Sequence, residues 1–427
     1  MLKFLPIILA IILSLSNIQF QKENSFQVSS ATSEEENKNL TTENIAPVLE
    51  SQTNKSFNSK NTIRLTWNPV PYAVRYRVTY GNKVVVTPTI GVEVVVKGTD
   101  EVFKITALDF DHQVAAEDVP IVSTEINPKA PRTTSEFDKM SYPPLYLVYS
   151  WIPSKNADHY EIRLCKDGQV VRNFVTDFDS DEEISFDFYD DDPVIEDGNY
   201  YWQVRACSSD DSTITDWSEI NPGNSFTISK PAQFCSLGDS ITHGGAVTVP
   251  PSQTFCNWQT YCTFPVKNLG HSGDTTEQIL DRFDDDVLPF KPEILFIMAG
   301  VNDFRLGIVS NYSIKNLEAI RDKCIENGIT PVFITPTPIN SARIFKTKFV
   351  EVPPNDWRFQ RNEICEWVRQ QQYFIDISAE MTDDEGNLKA YLTTDGLHPD
   401  SEGKQIIGKA VEKWISDYAN ANSTQEN

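Results

Sequence analysis

The sequence predicts a multidomain chain in which two N-terminal β-sandwich domains precede a C-terminal α/β domain with a five-stranded parallel sheet. Two observations predict this order: the first half contains an internal repeat of strand-like segments, and the second half alternates short apolar runs with helical segments. A length of 427 residues with 40% hydrophobic residues supplies several cores. The expected divisions are a signal peptide, a disordered linker, two β-sandwiches, the α/β domain and a tail, at residues 1–16, 17–60, 61–128, 129–229, 230–420 and 421–427.

The N-terminus has the pattern of a signal peptide. Lys3 supplies a positive start, residues 4–15 are apolar, and Ser14-Leu15-Ser16 is a small-x-small cleavage pattern. The apolar run falls short of the about 20 residues that span a bilayer, although an uncleaved anchor is the alternative. Residues 17–60 are rich in Ser, Glu, Asn and Thr, which predicts a disordered linker. We therefore expect a secreted, extracellular or cell-surface protein.

The internal repeat covers a tryptophan, a proline turn and an alternating strand. Trp67-x-Pro69-x-x-x-Ala73-x-x-Tyr76-x-Val78 recurs as Trp151-x-Pro153-x-x-x-Ala157-x-x-Tyr160-x-Ile162, at a constant offset of 84 residues. A Trp strand, a Pro turn and a Tyr-x-Val strand predict a hairpin of a β-sandwich. Each copy resembles a fibronectin type III domain, and the alternating segment 200–206 extends the resemblance in the second copy.

The second half alternates strands with helices, which predicts a parallel sheet with helices on both faces. The expected strands are 233–237, 264–268, 294–298, 330–335 and 373–377. The expected helices lie near 276–282, 313–327, 356–371 and 401–418. In open α/β sheets the ligand binds at the carboxyl ends of the strands.

Four polar blocks fall at those strand ends or just before the last helix. They are Gly238-Asp239-Ser240, the loop 268–275 with Gly273, Asn302-Asp303, and Asp395-x-x-His398. Singly, each block is ordinary turn or helix-cap chemistry. Together they supply a serine nucleophile, a histidine base with a suitable pKa, and a carboxylate close enough to orient that base. The candidate catalytic residues are therefore Ser240, His398 and Asp395.

The four blocks, taken in this order, resemble the SGNH (GDSL-like) hydrolase family over roughly residues 231–420. The resemblance implies a flavodoxin-like sheet and an esterase that works through an acyl-enzyme on Ser240. It also implies an oxyanion hole made by the backbone N–H groups of Ser240 and Gly273 and by the Asn302 side chain. Gly270 suits this role less well, because the family glycine precedes Asp-Thr. The long segment 336–354, with Arg343 and the following Trp357, is expected to shape the substrate pocket.

No cofactor and no metal are expected. His243 and His271 lie beside the proposed site, but no Cys, His and carboxylate cluster has zinc spacing, so local hydrogen bonds or a place at the pocket mouth are expected for both. Eleven acidic residues lie between Asp177 and Asp197. This segment begins like a calcium loop, but Glu182 and Phe188 stand where glycine and glutamate belong, which favours a solvated acidic loop.

Net charge limits the possible binding partners, and the cysteines allow several disulfide pairings. There are 37 Lys and Arg against 61 Asp and Glu, a net charge of −24, which disfavours binding to nucleic acid and anionic membranes. The seven cysteines leave disulfides open. Neighbouring strands suggest Cys165 with Cys207, the other candidate pairs are Cys256 with Cys262 and Cys324 with Cys365, and Cys235 is the candidate free thiol. The alternative is that all are reduced.

The sequence therefore predicts a secreted serine esterase, with O-acetylated carbohydrate as the expected substrate. A lipase, lysophospholipase or thioesterase of the same mechanism is one alternative. A noncatalytic adhesion or glycan-binding protein is another, although the complete set of site residues argues against it. The expected partners are an acylated small molecule or polysaccharide, with glycan or cell-surface contact through the sandwiches. Neither nucleic acid nor stable membrane insertion after signal cleavage is expected.

Overall fold

A computed structural model describes residues 60–98, 101–176 and 185–423. The expected signal peptide and nearly all of the linker lie outside these residues. So does the start of the acidic segment, and with it the calcium-loop question. Within the described ranges, no helix combines the length and apolarity needed to cross a bilayer.

The first β-rich region consists of two antiparallel sheets with strand orders β4-β1-β7 and β3-β2-β5-β6. Their strands are β1 Lys60–Trp67, β2 Arg75–Tyr80, β3 Lys83–Thr87, β4 Gly91–Lys97, β5 Phe103–Leu108, β6 Val114–Ala116 and β7 Ile121–Ile126. Alternate side chains of both sheets form one apolar cluster that includes Leu65, Val78, Val94 and Ile105. Two sheets around one cluster are consistent with a β-sandwich.

The second β-rich region repeats this arrangement, with strand orders β12-β9-β8 and β11-β10-β13-β14. Its strands are β8 Arg132–Thr133, β9 Val148–Ile152, β10 His159–Lys166, β11 Gln169–Val175, β12 Asp187–Tyr189, β13 Gly198–Cys207 and β14 Ser225–Ile228. Tyr149, Trp151, Ile162 and Trp202 belong to its apolar cluster. The sandwich class predicted for this part is therefore consistent with the structure, while the finer fibronectin resemblance stays a prediction.

The repeated motif has the same structural role in both copies. Trp67 and Tyr76 pack with ring centroids 5.2 Å apart, and Trp151 and Tyr160 pack at 4.9 Å. Each tyrosine oxygen accepts a hydrogen bond from a backbone N–H of the proline turn, at 3.0 and 2.8 Å. The hairpin expectation is wrong, because the Trp strand and the Tyr strand belong to opposite sheets in both copies. The proline turn carries the chain across the core that the tryptophan fills.

The C-terminal domain is built on a five-stranded parallel sheet of order β16-β15-β17-β18-β19. The strands are β15 Phe234–Gly238, β16 Lys267–Gly270, β17 Ile294–Met298, β18 Thr330–Ile334 and β19 Phe374–Ile375. The helices are Ser240–His243, Thr276–Asp281, Phe283–Asp286, Val301–Leu306, Ser310–Glu326, Ser341–Thr347, Trp357–Arg369, Ser378–Met381 and Ser401–Ser423. The parallel, flavodoxin-like sheet is confirmed. The strand expected at 264–268 begins later, since Pro265 has no N–H to give to a sheet.

Strand order determines where the site forms. β15 and β17 are central neighbours, and both bury all of their side chains. Gly238 pairs with Met298 at their carboxyl ends, where the strand order reverses. Such a switch point leaves a crevice above the sheet. Ser240 and Asn302 follow those two strand ends.

All seven cysteines are free thiols in the structure. Cys165 lies opposite Tyr201 and Cys207 lies opposite His159, so the two cysteines sit at opposite ends of one strand pair. At about 3.4 Å per residue they are about 20 Å apart, far beyond disulfide reach. The strands are neighbours, as expected, but their register excludes the pair.

The second β-rich region packs against the C-terminal domain through buried contacts. Leu145 and Tyr146 belong to the apolar cluster of the parallel-sheet domain. The Tyr146 hydroxyl donates to Asp286 at 2.8 Å. Lys267 is fully buried and donates to the Pro143 carbonyl at 2.8 Å, and burial lowers its pKa to about 7. The region before β9 is thus part of the parallel-sheet domain's packing.

Candidate active site

The serine lies at a tight turn between β15 and a short helix. Asp239 caps that helix, since its Oδ1 accepts from the Ile241 N–H at 2.9 Å. Burial raises the pKa of Asp239 to about 7. A Cβ on Gly238 would lie 2.3 Å from the Met298 carbonyl oxygen, so only glycine fits beneath the turn. Each residue of Gly238-Asp239-Ser240 therefore has a separate task, and the serine is the one left facing the crevice.

Ser240, His398 and Asp395 form one hydrogen-bonded chain. Ser240 Oγ lies 3.0 Å from His398 Nε2, and His398 Nδ1 lies 2.7 Å from Asp395 Oδ2. A carboxylate accepts only, so Nδ1 carries the proton and Nε2 is free to accept from the serine hydroxyl. This is the protonation pattern that a histidine base requires.

Asp395 is held rigidly as well as paired. Its Oδ1 accepts from the backbone N–H groups of Leu397 and His398, at 2.7 and 2.8 Å, and from Thr393 Oγ1 at 3.2 Å. Burial acts to raise the pKa of Asp395, but the charge and hydrogen bond of His398 and the two backbone donors outweigh it, so the pKa lies below its usual value. The carboxylate is therefore ionised at neutral pH.

A hydrogen bond joins Asn302 to the loop that carries Gly273. Asn302 Nδ2 donates to the Asp274 carbonyl oxygen at 2.9 Å, which places this amide beside the Gly273 peptide. Gly273 has φ +92°, and a Cβ there would meet nothing within 4 Å, so the space beside its Cα is open. Within the described ranges neither the Ser240 N–H nor the Gly273 N–H donates a hydrogen bond. These donors are free for a ligand, as an oxyanion site needs.

The remaining motif positions hold the loops in place. Asp303 accepts from the Thr276 backbone N–H at 2.9 Å and from its hydroxyl at 2.5 Å, which ties the third block to the helix after the second. A Cβ on Gly270 would lie 2.2 Å from the backbone nitrogen of His243, so Gly270 is required for close packing against the helix that begins at Ser240. Gly270 thus has a steric task, separate from Gly273.

Arg282 was not found from the sequence, because nothing in its neighbourhood marks it. It donates to Asp274 Oδ2 at 2.6 Å, to the Leu269 carbonyl at 2.8 Å and to the Gly238 carbonyl at 2.9 Å. It also pairs with Asp286 at 2.8 Å. One guanidinium therefore joins the end of β15, the end of β16 and the loop that carries Gly273.

The two histidines beside the site make local hydrogen bonds. His243 Nε2 donates to the Tyr146 carbonyl at 2.8 Å, and its Nδ1 accepts from Ser272 Oγ at 2.9 Å. Burial lowers the pKa of His243 to about 3, so its imidazole is neutral. His271 Nδ1 lies 2.8 Å from Asp274 Oδ1, whose hydrogen bond raises the pKa of this histidine. In the described part of the chain, no group of three or more His, Cys, Asp and Glu side chains is arranged to hold a metal.

The segment 336–354 flanks the histidine, though differently from the expectation. It contains the helix Ser341–Thr347, and the Phe349 ring lies 5.8 Å from the His398 ring, edge to face. Arg343 Nε donates to the Thr394 carbonyl at 2.7 Å. Arg343 thus supports the Asp395 loop. Trp357 is buried against Phe304 and forms core, where a place in the pocket was expected.

A parallel sheet that carries a Ser-His-Asp chain at its switch point defines the class of α/β serine hydrolases. The profile of the family described as "GDSL-like Lipase/Acylhydrolase family" matches residues 236–406. The C-terminal part of this chain is accordingly a GDSL-like acylhydrolase domain, a domain of ester-hydrolysing enzymes.

The solved structures that are similar to this chain cover less than half of it. A GDSL-like lipase from Bacteroides thetaiotaomicron is 20% identical, with 45% of this chain and 93% of that chain covered at a TM-score of 0.36. A lipase/acylhydrolase from Enterococcus faecalis is 25% identical, with 43% and 95% covered at 0.35. A catalytic mutant of an acetylxylan esterase from Geobacillus stearothermophilus is 18% identical, with 44% and 95% covered at 0.34. A search of curated proteins found no match.

Proposed function

We propose that this chain is a serine esterase that forms an acyl-enzyme on Ser240. The observation that carries the proposal is the hydrogen-bonded chain from Ser240 Oγ through His398 to Asp395, with distances of 3.0 and 2.7 Å. A serine hydroxyl attacks an ester only when a base removes its proton, and the arrangement provides that base in the required tautomer.

In the first half of the reaction, Ser240 Oγ bonds to the ester carbonyl carbon while His398 Nε2 takes the hydroxyl proton. The carbonyl oxygen becomes an oxyanion that receives hydrogen bonds from the N–H groups of Ser240 and Gly273 and from Asn302 Nδ2. Asp395 stabilises the imidazolium by its hydrogen bond to Nδ1. When the ester C–O bond breaks, His398 returns the proton to the departing alcohol, which leaves the acyl group on Ser240.

In the second half, water takes the place of the alcohol. His398 removes a proton from water as its oxygen attacks the acyl carbon, and the same three donors stabilise the second oxyanion. Collapse of this intermediate breaks the bond to Ser240 Oγ, which regains a proton from His398. The products are a carboxylic acid, an alcohol and the free enzyme.

For the substrate we propose an O-acetyl group on a carbohydrate, removed outside the cell. The support is the signal-peptide pattern at residues 1–16, the net charge of −24, and the two β-sandwiches placed before the hydrolase domain. We propose fibronectin type III-like domains for these sandwiches. Both copies have sheets of three and four strands and a buried tryptophan, Trp67 in the first and Trp151 in the second.

The first test compares the purified chain with its Ser240→Ala variant on 4-nitrophenyl acetate. We expect turnover by the wild type and loss of at least about 10³ in kcat for the variant. Ser416→Ala, on the exposed face of the last helix, is the matched control and should retain full activity. Equal rates for wild type and Ser240→Ala would contradict the serine assignment, and no turnover by either would support a noncatalytic protein.

A second measurement separates the ester classes. Acetate release from acetylated xylan, pectin and peptidoglycan is compared with hydrolysis of lipid esters of increasing acyl length. The proposal predicts the highest kcat/KM for an acetylated glycan and a decline as the acyl chain lengthens. A rise with acyl length would indicate a lipase or lysophospholipase of the same mechanism.

A further inference from the structure

Arg305 carries a positive charge beside Asn302 of the proposed oxyanion site, and it has no ion-pair partner among the described residues. It lies one turn after Asn302 in the helix Val301–Leu306, and its Nη2 donates to Asn302 Oδ1 at 3.2 Å. Its Nε is enclosed and has no acceptor among the described residues. No carboxylate of the described ranges forms an ion pair with this guanidinium, although Asp239 and Glu351 act on it electrostatically from farther away.

The contrast with Arg282 shows that this is unusual within the same site. Arg282 is neutralised by two carboxylates and also donates to two carbonyl oxygens. Arg305 is partly buried, and burial lowers its pKa, yet the only side-chain hydrogen bond that it makes in the described part of the chain goes to a neutral amide oxygen. Enclosing an unpaired charge has a free-energy cost, and an unsatisfied buried donor calls for a functional reason. In a chain of net charge −24, a partner carboxylate would be easy to supply.

The position of Arg305 indicates which part of a bound substrate it contacts. Asn302 uses Nδ2 for the loop of Gly273 and presents Oδ1 to Arg305, so the guanidinium lies at the opposite end of this amide from that loop. A group attached close to the reacting ester carbonyl would come within its reach. Guanidinium groups bind carboxylates with paired, charge-assisted hydrogen bonds.

We propose that Arg305 is a specificity-determining residue that binds a carboxylate of the substrate, so that the preferred substrates are esters of anionic molecules. This inference rests on the proposed esterase function and deepens it. The carboxylate can belong to the alcohol side, as in an O-acetylated sugar acid, or to the acyl side, as in a half-ester of a dicarboxylic acid. Both sources present the same group to Arg305.

Two matched substrate pairs separate these sources. For the alcohol side, acetate release is measured from O-acetylated oligogalacturonides and from the same oligosaccharides with their carboxyl groups amidated. For the acyl side, hydrolysis of monoethyl succinate is compared with that of ethyl butyrate. In each pair, the ratio of kcat/KM for the charged member to that for the neutral member is the quantity of interest. A general disturbance of Asn302 lowers kcat/KM for both members of a pair equally, so it leaves this ratio unchanged.

The variants are Arg305→Gln, Arg305→Lys and, as a control for loss of one positive charge, Arg77→Gln in the middle of β2. In the wild type, one pair should give a ratio of about 10 or more, because hydrogen bonds to charged groups are stronger than those between neutral groups. Arg305→Gln should reduce that ratio at least fivefold, Arg305→Lys should retain part of it, and Arg77→Gln should leave it unchanged. Added salt should lower the wild-type ratio.

Ratios that are the same in wild type and Arg305→Gln for both pairs would overturn the proposal and leave Arg305 as a residue that only holds Asn302. The esterase function itself would survive that result, provided that the neutral esters are still hydrolysed in a Ser240-dependent way. Absence of Ser240-dependent hydrolysis of every ester would instead refute the proposed function. The two failures are therefore distinguishable.

Discussion

Replacing Asp395 by asparagine tests the proposed role of the carboxylate, because the structure dictates how the new amide must point. Oδ1 of Asp395 accepts two backbone N–H groups and the Thr393 hydroxyl, whereas Oδ2 faces His398 Nδ1 alone. The oxygen of an asparagine amide will therefore occupy the Oδ1 position, and its NH₂ will face His398. The histidine must then accept at Nδ1 and carry its proton on Nε2, where it cannot act as a base toward Ser240.

The size of the loss in kcat depends on how strongly the other orientation of the new amide is disfavoured. Turning the amide over restores the productive tautomer but leaves the N–H groups of Leu397 and His398 facing an NH₂ group. Each unsatisfied buried donor costs about 1–3 kcal/mol, so the productive orientation is disfavoured by about 2–6 kcal/mol. At about 1.4 kcal/mol per factor of ten, kcat should fall by a factor between about 30 and about 2 × 10⁴. His398→Ala removes the base itself and should reduce kcat further.

The assay is kcat for 4-nitrophenyl acetate at pH 7, with the melting temperature of each variant as a check on folding. Asp384→Asn, an exposed change of the same kind in the same domain, is the control and should leave kcat unchanged. If Asp395→Asn keeps more than about a tenth of the wild-type kcat while it is folded, the tautomer argument is refuted. An Asp395→Asn loss greater than that of His398→Ala would also contradict a purely orienting carboxylate.

Three further changes test other parts of the site. Asn302→Ala removes a proposed oxyanion donor and should lower kcat by about 10²–10³ with a smaller change in KM; an effect confined to KM would contradict that role. Asp111, in the first sandwich, accepts from Arg343 at 2.6 Å and from Lys346 at 2.8 Å, and Arg343 supports the loop of Asp395. Asp111→Asn should therefore lower kcat about two- to tenfold, and added salt should lower wild-type kcat toward that of the variant; equal rates at low salt would show that the sandwich does not support the site. His243 stays neutral in the folded state, where its pKa is about 3. In the unfolded chain the same imidazole takes up a proton below about pH 6.5. The free energy of unfolding must therefore fall as the pH decreases below about 6.5. In urea titrations between pH 7 and pH 5, the wild type should lose about 2 kcal/mol more than His243→Gln, and equal losses would disprove a neutral buried imidazole.

Local chemistry made much of this protein predictable. Strand-forming runs and helix periodicity predicted the parallel sheet, and its strand ends carried the four polar blocks. The sequence singled out Ser240, Asp395 and His398 because nucleophile, base and orienting carboxylate are specific residue types in a specific order. The repeat also predicted equivalent sandwich positions for Trp67 and Trp151, since a buried tryptophan and its tyrosine partner need the same spacing in each copy.

What failed or was missed depends on contacts between distant segments. The proline turn of the repeat crosses between sheets because the tryptophan fills the space between them, and residue spacing alone does not distinguish this from a hairpin. The cysteine pair on neighbouring strands is separated by register, which only the paired sheet determines. Trp357 resembled a pocket residue in sequence but packs inside the domain.

The sequence by itself determined the class of chemistry, because that depends on which functional groups are present and on their placement at strand ends. Only the tertiary structure decided how those groups are supported. Arg282 binds the ends of two strands and the loop of Gly273, and the first sandwich reaches the Asp395 loop through Arg343. It also decided that one arginine, Arg282, is neutralised, while another, Arg305, has an Nε without an acceptor in the described part of the chain. Arginines in a sequence look alike, and their charge acquires a role only from the acceptors that folding brings within about 3 Å.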